Sequence, residues 1–397
     1  MTETSGDLDR QSLRFLWLYA LASAGGAVAY VPFLTILLPV RMSELSGGDD
    51  VAPLAYAAFA GAVIASLANI AFGWLSDRSG NRKAWIATGL VLCSLLLVSV
   101  QATHSLAELI GVIVVWQLAL NLMLAPLAAW AGDMVPDRQK GLLGGLLAFS
   151  PAAGAAAGAL VTWPGLAGAD TRLELVALLT IAMVLPVLVT GYDRPMPHLM
   201  TRSSELSDAP RPSRGLIGRM WIARLLVQIS EAALFAYLLY WFRSIDPSVT
   251  DSDTARVFSI VLVAAVPLSL LTGRWSDRTD RPILPLASAA GLSAIGLLVM
   301  ALSDTLALAM TGYVLFGLVA AVFLALHSAQ TLRVLPRPET RGRDLGLFNL
   351  TNTTPSLIMP LLTLGLVPGF GFDGLWLVLA GLALMACLLL ATARRAA

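Results

Sequence analysis

The sequence predicts an all-α membrane protein whose twelve transmembrane helices form two parallel-repeat six-helix bundles. Three observations lead there: a composition too apolar for water, twelve apolar segments of spanning length, and a short motif that recurs 200 residues later. Of the 397 residues, 57% are apolar and 13% are charged. Soluble domains run at roughly 45–50% apolar and about a quarter charged. So few polar groups cannot cover a soluble surface of this size, which excludes a soluble enzyme, a disordered scaffold and a nucleic-acid binder. A net charge of +1 adds nothing, because in a membrane protein the placement of charge matters more than its sum. Cys93 and Cys387 lie in apolar runs and share no motif, so neither a disulfide nor a metal framework is expected.

A spanning helix takes about 20 apolar residues. The first six such segments run at 14–40, 52–76, 84–102, 106–132, 140–163 and 173–192. The second six run at 217–243, 255–275, 282–302, 305–332, 344–367 and 373–393. Their apolar runs are continuous rather than alternating, which excludes a β-barrel. The polar start of the chain leads into an apolar run too long for the core of a cleavable signal, so no leader is expected. Between spans six and seven lies a polar stretch with Pro195, Pro197, Pro210 and Pro212 and with Arg194, Arg202, Arg211 and Arg214. It reads as a flexible, exposed linker over 193–218, joining an N-terminal bundle (1–192) to a C-terminal one (219–397). With the N-terminus inside, 21 basic residues fall on the cytoplasmic side and 4 outside, with Arg224 inside a helix. That asymmetry predicts that both termini are cytoplasmic.

The repeat relates the halves. Gly73, Asp77 and Arg78 follow span two, and Gly273, Asp277 and Arg278 stand at the same places after span eight. Pro136 and Pro336 show the same offset, each a few residues before a Gly (Gly141, Gly342) that opens the next span. With an even number of spans per half, the repeat is parallel.

The run Gly73-Trp-Leu-Ser-Asp77-Arg78-Ser-Gly80-Asn81-Arg82-Lys83 resembles the signature loop between helices two and three of the major facilitator superfamily. The twelve spans, the basic central linker and the second copy of the loop extend that resemblance over almost the whole chain. It implies a secondary transporter with a single midplane site between the bundles, exposed alternately to the two sides. It also implies gating roles. Gly73 admits a close helix. Asp77 meets the positive N-terminal end of helix eleven, which begins near Asp344. Arg82 or Lys83 pairs with Asp133 at the end of span four, so that the loop latches the cytoplasmic side. Asn81 departs from the family pattern, which has a base at that position.

Inside the membrane an ionisable side chain is a functional candidate by default. Glu231 sits twelve residues from both Arg219 and Arg243, hence near the midplane of span seven. Arg224, Gln228 and Glu231 are spaced four and three apart, on one helical face. They are the expected proton-coupling group, with Glu231 carrying the proton. His327 in span ten can also titrate. Polar stripes suited to an uncharged, hydroxylated solute come from Gln117 and Asn121 in span four and from Asn349, Asn352, Thr353 and Ser356 in span eleven. Tyr30 in span one and Tyr237 in span seven complete the expected lining. Hydrogen bonding between helices is the competing role for each.

Proton-driven exporters of the family carry an Arg where Val114 stands, three residues before Gln117, and a Gly where Leu118 stands. Ser150-Pro151-Ala-Ala-Gly154-Ala155 matches their span-five element only in part. Gly346 to Pro355 is faintly similar to span eleven of sucrose and glycoside cation symporters, and span two carries no acid before Asp77 that would suit sodium. The expectation is therefore a proton-coupled symporter for a small, sugar-like polar solute. A drug or metabolite efflux antiporter is the alternative, and a transport-inactive sensor or scaffold comes third. No cofactor is expected beyond the proton gradient. The expected partners are the solute and the lipid bilayer, not nucleic acid, with a monomer in a bacterial inner membrane.

Overall fold

The computed structural model describes residues 10–46, 51–163, 165–168, 171–190, 193–194, 196–199, 214–249, 251–335 and 338–393. Among the described residues every regular element is helical. Span one consists of α1 (Leu13–Pro32), a π-helical turn (Phe33–Leu37) and α2 (Leu38–Ser46). Spans two to four are α3 (Val51–Ser79), α4 (Arg82–Ser99) and α5 (Leu106–Met134). Span five is split into α6 (Lys140–Leu147) and α7 (Phe149–Val161), and span six is α8 (Arg172–Val189). Spans seven to ten are α9 (Arg214–Ile245), α10 (Asp251–Thr279), α11 (Ile283–Ala301) and α12 (Leu306–Val334). Spans eleven and twelve form one long element, α13 (Arg341–Ala393). It is broken only at Gly371, whose φ of 68° is open to glycine and costly for other residues.

Ten helices among the described residues are long and apolar enough to cross a membrane. The two further predicted spans, seven and eleven, lie in α9 and in α13 before Gly371.

Helix starts are set by short polar side chains. The Ser12 hydroxyl accepts the Phe15 amide, Ser105 accepts that of Glu108, and Thr305 accepts that of Leu308. The 200-residue offset reaches into these details. Ser105 and Thr305 are counterparts, and α3 and α10, like α5 and α12, have matching ends 200 residues apart.

Two compact units divide the chain. The first comprises Met1–Pro136, Phe149–Asp208 and Arg337–Asn349, and the second comprises Asp137–Ala148, Ala209–Pro336 and Leu350–Ala397. Each thus follows one half of the sequence but takes in a short segment of the other: the start of α13 belongs to the first unit and α6 to the second.

In the first unit Phe15 and Tyr19 of α1 stack edge-on against Trp130 of α5, and the Tyr19 hydroxyl donates to the Leu127 carbonyl at 2.8 Å. In the second, Trp241 of α9 meets Trp376 of α13, and Phe242 meets Tyr313 of α12.

Only part of the predicted linker is described, and Arg202, Arg211, Pro195, Pro210 and Pro212 lie outside it. Its described beginning is tied down. The buried Gln11 amide donates to the carbonyls of Met134 and Arg194 and accepts the Arg194 amide. Asp193 pairs with Lys83 at 2.7 Å. Its end is already helical, because α9 starts at Arg214.

Candidate functional site

In the first unit Gly73 of α3 meets the start of α13 backbone to backbone. A Cβ on Gly73 would lie 2.3 Å from the Gly342 carbonyl oxygen, and one on Gly342 would lie 2.4 Å from that of Gly73. Only a pair of glycines allows this approach. One turn further along α3, the Asp77 carboxylate accepts the Gly342 amide at 2.8 Å and the Arg343 amide at 3.0 Å. These are free N–H groups of a helix start, where a carboxylate also gains from the helix dipole.

A chain of alternating charges continues from there. Arg82 donates to Asp77 at 2.6 Å and to Asp133 at 2.9 Å, and Asp133 binds Arg341 at 2.5 Å. All four side chains are almost fully buried. Of the two candidate bases, then, Arg82 is the one that reaches Asp133. Lys83 turns instead to Asp193 and lies over the Trp130 ring. Asn81 caps α4, its side-chain oxygen accepting the Ala84 amide, a local job a base could not do. Gly80, at φ 66°, closes the end of α3, and Arg78 lies exposed over Trp74.

The second copy builds the same contact in the second unit. Gly273 of α10 faces Gly141 of α6, where a Cβ would lie 2.1 Å from the Gly141 carbonyl oxygen. Asp277 accepts the Gly141 and Leu142 amides at 2.8 and 2.7 Å. Its cation is Arg333 at 2.7 Å, which also donates to the Asp137 carbonyl, and Lys140 pairs with Asp137. Arg278 is exposed.

The intramembrane residues separate into two groups. In the first unit the Asn69 amide donates to Asn121 at 2.9 Å, and Asn121 donates to the Gln117 carbonyl at 2.9 Å. Asn121 and Gln117 are both buried, so Asn121 joins helices rather than facing open space. Tyr30 is exposed on α1, and Asn349 is half-buried at the edge of the same unit.

In the second unit α9, α12 and α13 bring together Arg224, Gln228, His327, Ser328 and Asn352. Arg224 donates to the Ser328 hydroxyl at 3.0 Å, to His327 Nδ1 at 3.4 Å and to the Asn352 side-chain oxygen at 3.2 Å. Gln228 donates to that same oxygen at 2.5 Å. His327 is fully buried with Nε2 3.0 Å from the Met220 carbonyl. That partner requires the proton on Nε2 and leaves Nδ1 as an acceptor. Arg224 is thus half-buried and held by neutral groups of two other helices, with Asn352 itself exposed. Glu231, two turns along the same face, is half-buried and makes no hydrogen bond or ion pair among the described residues. Tyr237 is half-buried, Thr353 bonds its own backbone at Leu350, and the Ser356 side chain lies outside the described residues. Arg341, Arg333 and Ser328 were not singled out from the sequence. All three are spatial partners from spans remote in the chain, although Arg341 and Lys140 do stand at matching places just before Gly342 and Gly141.

Solved structures with the same fold include the human organic anion transporter MFSD10 (TETRAN). It has a TM-score of 0.74 and 13% identity, over 95% of this chain and 99% of that one. A bacterial homologue of the iron transporter ferroportin, in its outward-facing state, also has a TM-score of 0.74, with 14% identity over 96% and 99%. The E. coli fucose:proton symporter FucP has the same score, with 14% identity over 96% and 98%. Three cargoes at one level of likeness show that the fold is common and that it names no substrate. Among curated protein sequences none matches this chain. The model of the Major Facilitator Superfamily matches residues 15–245 and 220–397, essentially end to end. The chain thus belongs to the Major Facilitator Superfamily, as an integral membrane protein built for secondary transport of small molecules and not an enzyme.

Proposed function

We propose that this transporter is a proton-coupled symporter for a small, hydroxylated polar solute, working by alternating access with Glu231 as the proton site. The observation that carries the proposal is the isolation of Glu231. A carboxyl group in mid-helix, twelve residues from Arg219 and from Arg243, which flank the span, is expensive in a bilayer. A carboxyl with only a structural duty would be expected to have a hydrogen-bond partner. Glu231 has none among the described residues, which leaves its carboxyl free to take up and release a proton. Gln228 and Asn352 beside it offer amide groups to hydroxyls. The asymmetry of 21 inner to 4 outer basic residues supports cytoplasmic termini, and the short loops suit a bacterial inner membrane. The two Asp-to-helix contacts then lie on the cytoplasmic side and would have to release once per cycle.

The test is uptake into liposomes under an imposed pH gradient. Glu231→Gln is expected to abolish gradient-driven accumulation while solute exchange persists. Accumulation that survives in E231Q removes Glu231 from the coupling step. Solute movement opposite to the proton replaces symport with efflux.

A further inference from the structure

We propose that the solute carries a single negative charge, of the carboxylate kind, which binds Arg224, and that it crosses with one proton so that neither crossing form of the site bears net charge. The proposal rests on the symport reading above and adds to it the chemical class of the solute.

The first ground is the way Arg224 is held. Its contacts are to a hydroxyl, an imidazole nitrogen and an amide oxygen, so three of its five N–H groups meet neutral partners and no carboxylate touches it among the described residues. His327 accepts from it as a neutral ring, because Nε2 is committed to Met220. A guanidinium inside a membrane bundle without a carboxylate at contact distance is costly. Its planar fork is suited to a carboxylate, and its surroundings open where Asn352 is exposed. Around it, Gln228 and Asn352 supply the amides that hydroxyls of the solute would use.

The second ground is a count of charges. The titratable and charged groups facing Glu231 are Arg224 on its own helix and Tyr313 on α12, both within electrostatic reach, with His327 beyond Arg224. With the site empty and Glu231 ionised, Arg224 and Glu231 cancel. With Glu231 protonated and a monoanion on Arg224, the charges cancel again. A neutral solute with the proton would leave the site at plus one, and a monoanion without the proton at minus one. Charge in a low-dielectric passage is penalised, so the two neutral forms are the ones that cross, and this charge balance is what couples solute to proton.

The experiment has two arms. Purified protein is melted with hydroxylated monocarboxylates (glycerate, gluconate, glucuronate), with their uncharged parents glycerol and glucose, and with glucose 6-phosphate. At least one monocarboxylate is expected to raise the melting temperature by several degrees, with no shift from its neutral parent. Arg224→Gln should abolish the shift and Arg224→Lys should retain part of it. A neutral parent that stabilises equally, a shift from the phosphate ester alone, a shift that survives in R224Q, or no shift from any monocarboxylate overturns the proposal. Should R224Q fail to fold, the wild-type comparisons decide alone.

In the second arm the stabilising acid is followed into liposomes under a pH gradient, with and without a potassium diffusion potential of about 100 mV. Net-neutral crossing predicts accumulation unchanged within about twofold. A net charge of one predicts a change of up to about 50-fold, which overturns the proposal. A pH gradient that drives nothing defeats the symport reading and leaves the melting arm to judge the anion. A neutral solute driven by the gradient preserves the symport reading and defeats the anion.

Discussion

The two Asp-to-helix contacts share a backbone arrangement and differ in their charges. In each, an Asp four residues after a Gly accepts the first amides of a helix from elsewhere in the chain, and the Gly touches another Gly. Around Asp77 the charges then run through Arg82 and Asp133 to Arg341. The positions 200 residues on from Arg82 and Asp133 hold Pro282 and Arg333, so the second copy has lost the base and inverted the acid. Either change alone would strand a buried charge. Together they let Arg333 bind Asp277 directly, in a site somewhat more open to solvent than its counterpart. The backbone contact is what the repeat keeps, while each copy has neutralised its Asp in its own way.

The largest effect is expected from Asp133→Asn, because Asp133 has no acidic counterpart in the second copy. It leaves Arg82 and Arg341 short of a buried partner, and a loss of about 3–5 kcal/mol is expected from unfolding measurements on the purified protein. A loss below about 1 kcal/mol would mean that the four-charge chain is decoration. Next come Gly73→Ala and Gly273→Ala. Each places a methyl group against a carbonyl oxygen, and each is expected to cost about 1–3 kcal/mol. Near-equal costs would show that the shared element is the backbone approach; a cost in only one copy would show that the copies have diverged there too. Lys83→Ala should matter least. Its pair with Asp193 is partly exposed, and a change of at most about 1 kcal/mol is expected in the same melts.

Much of this was legible in the sequence. Length and apolarity mark the spans because lipid imposes both. The loop Gly73–Lys83 marks the contact made by Asp77, and its likeness to a known family brings helix eleven to it. Arg341 and Arg333 were hidden for a physical reason: bases cluster at every membrane edge for orientation alone, so proximity in the fold is what distinguishes a partner from an anchor. Asn81 looked like a missing base and is a helix cap. In the polar stripe of span four, Asn121 takes the competing role named for such residues, since it meets Asn69 of another helix. Arg224 is a helix-face neighbour of Glu231 in the sequence, while His327, Ser328 and Asn352 come to it from other helices. Glu231 is singled out by its position in the span alone, since a count of residues from the flanking arginines is all that the sequence offers for depth.

The π-helical turn Phe33–Leu37 carries a consequence for how span one can be read and edited. A π turn takes up one residue more than an α turn, and each residue of an α-helix advances the direction of its side chains by about 100°. The turn therefore works as a phase shifter: α2 presents to its neighbours a different face from the one an uninterrupted α1 would have carried there. A heptad-like pattern written across the whole span would be out of step on one side of Pro32. Removing a single residue between 33 and 37 would shorten the span by little more than an ångström and let the turn close as an ordinary α turn with the side chains beyond it facing much as before, whereas removing one from α1 or α2 would turn everything beyond it by about 100°.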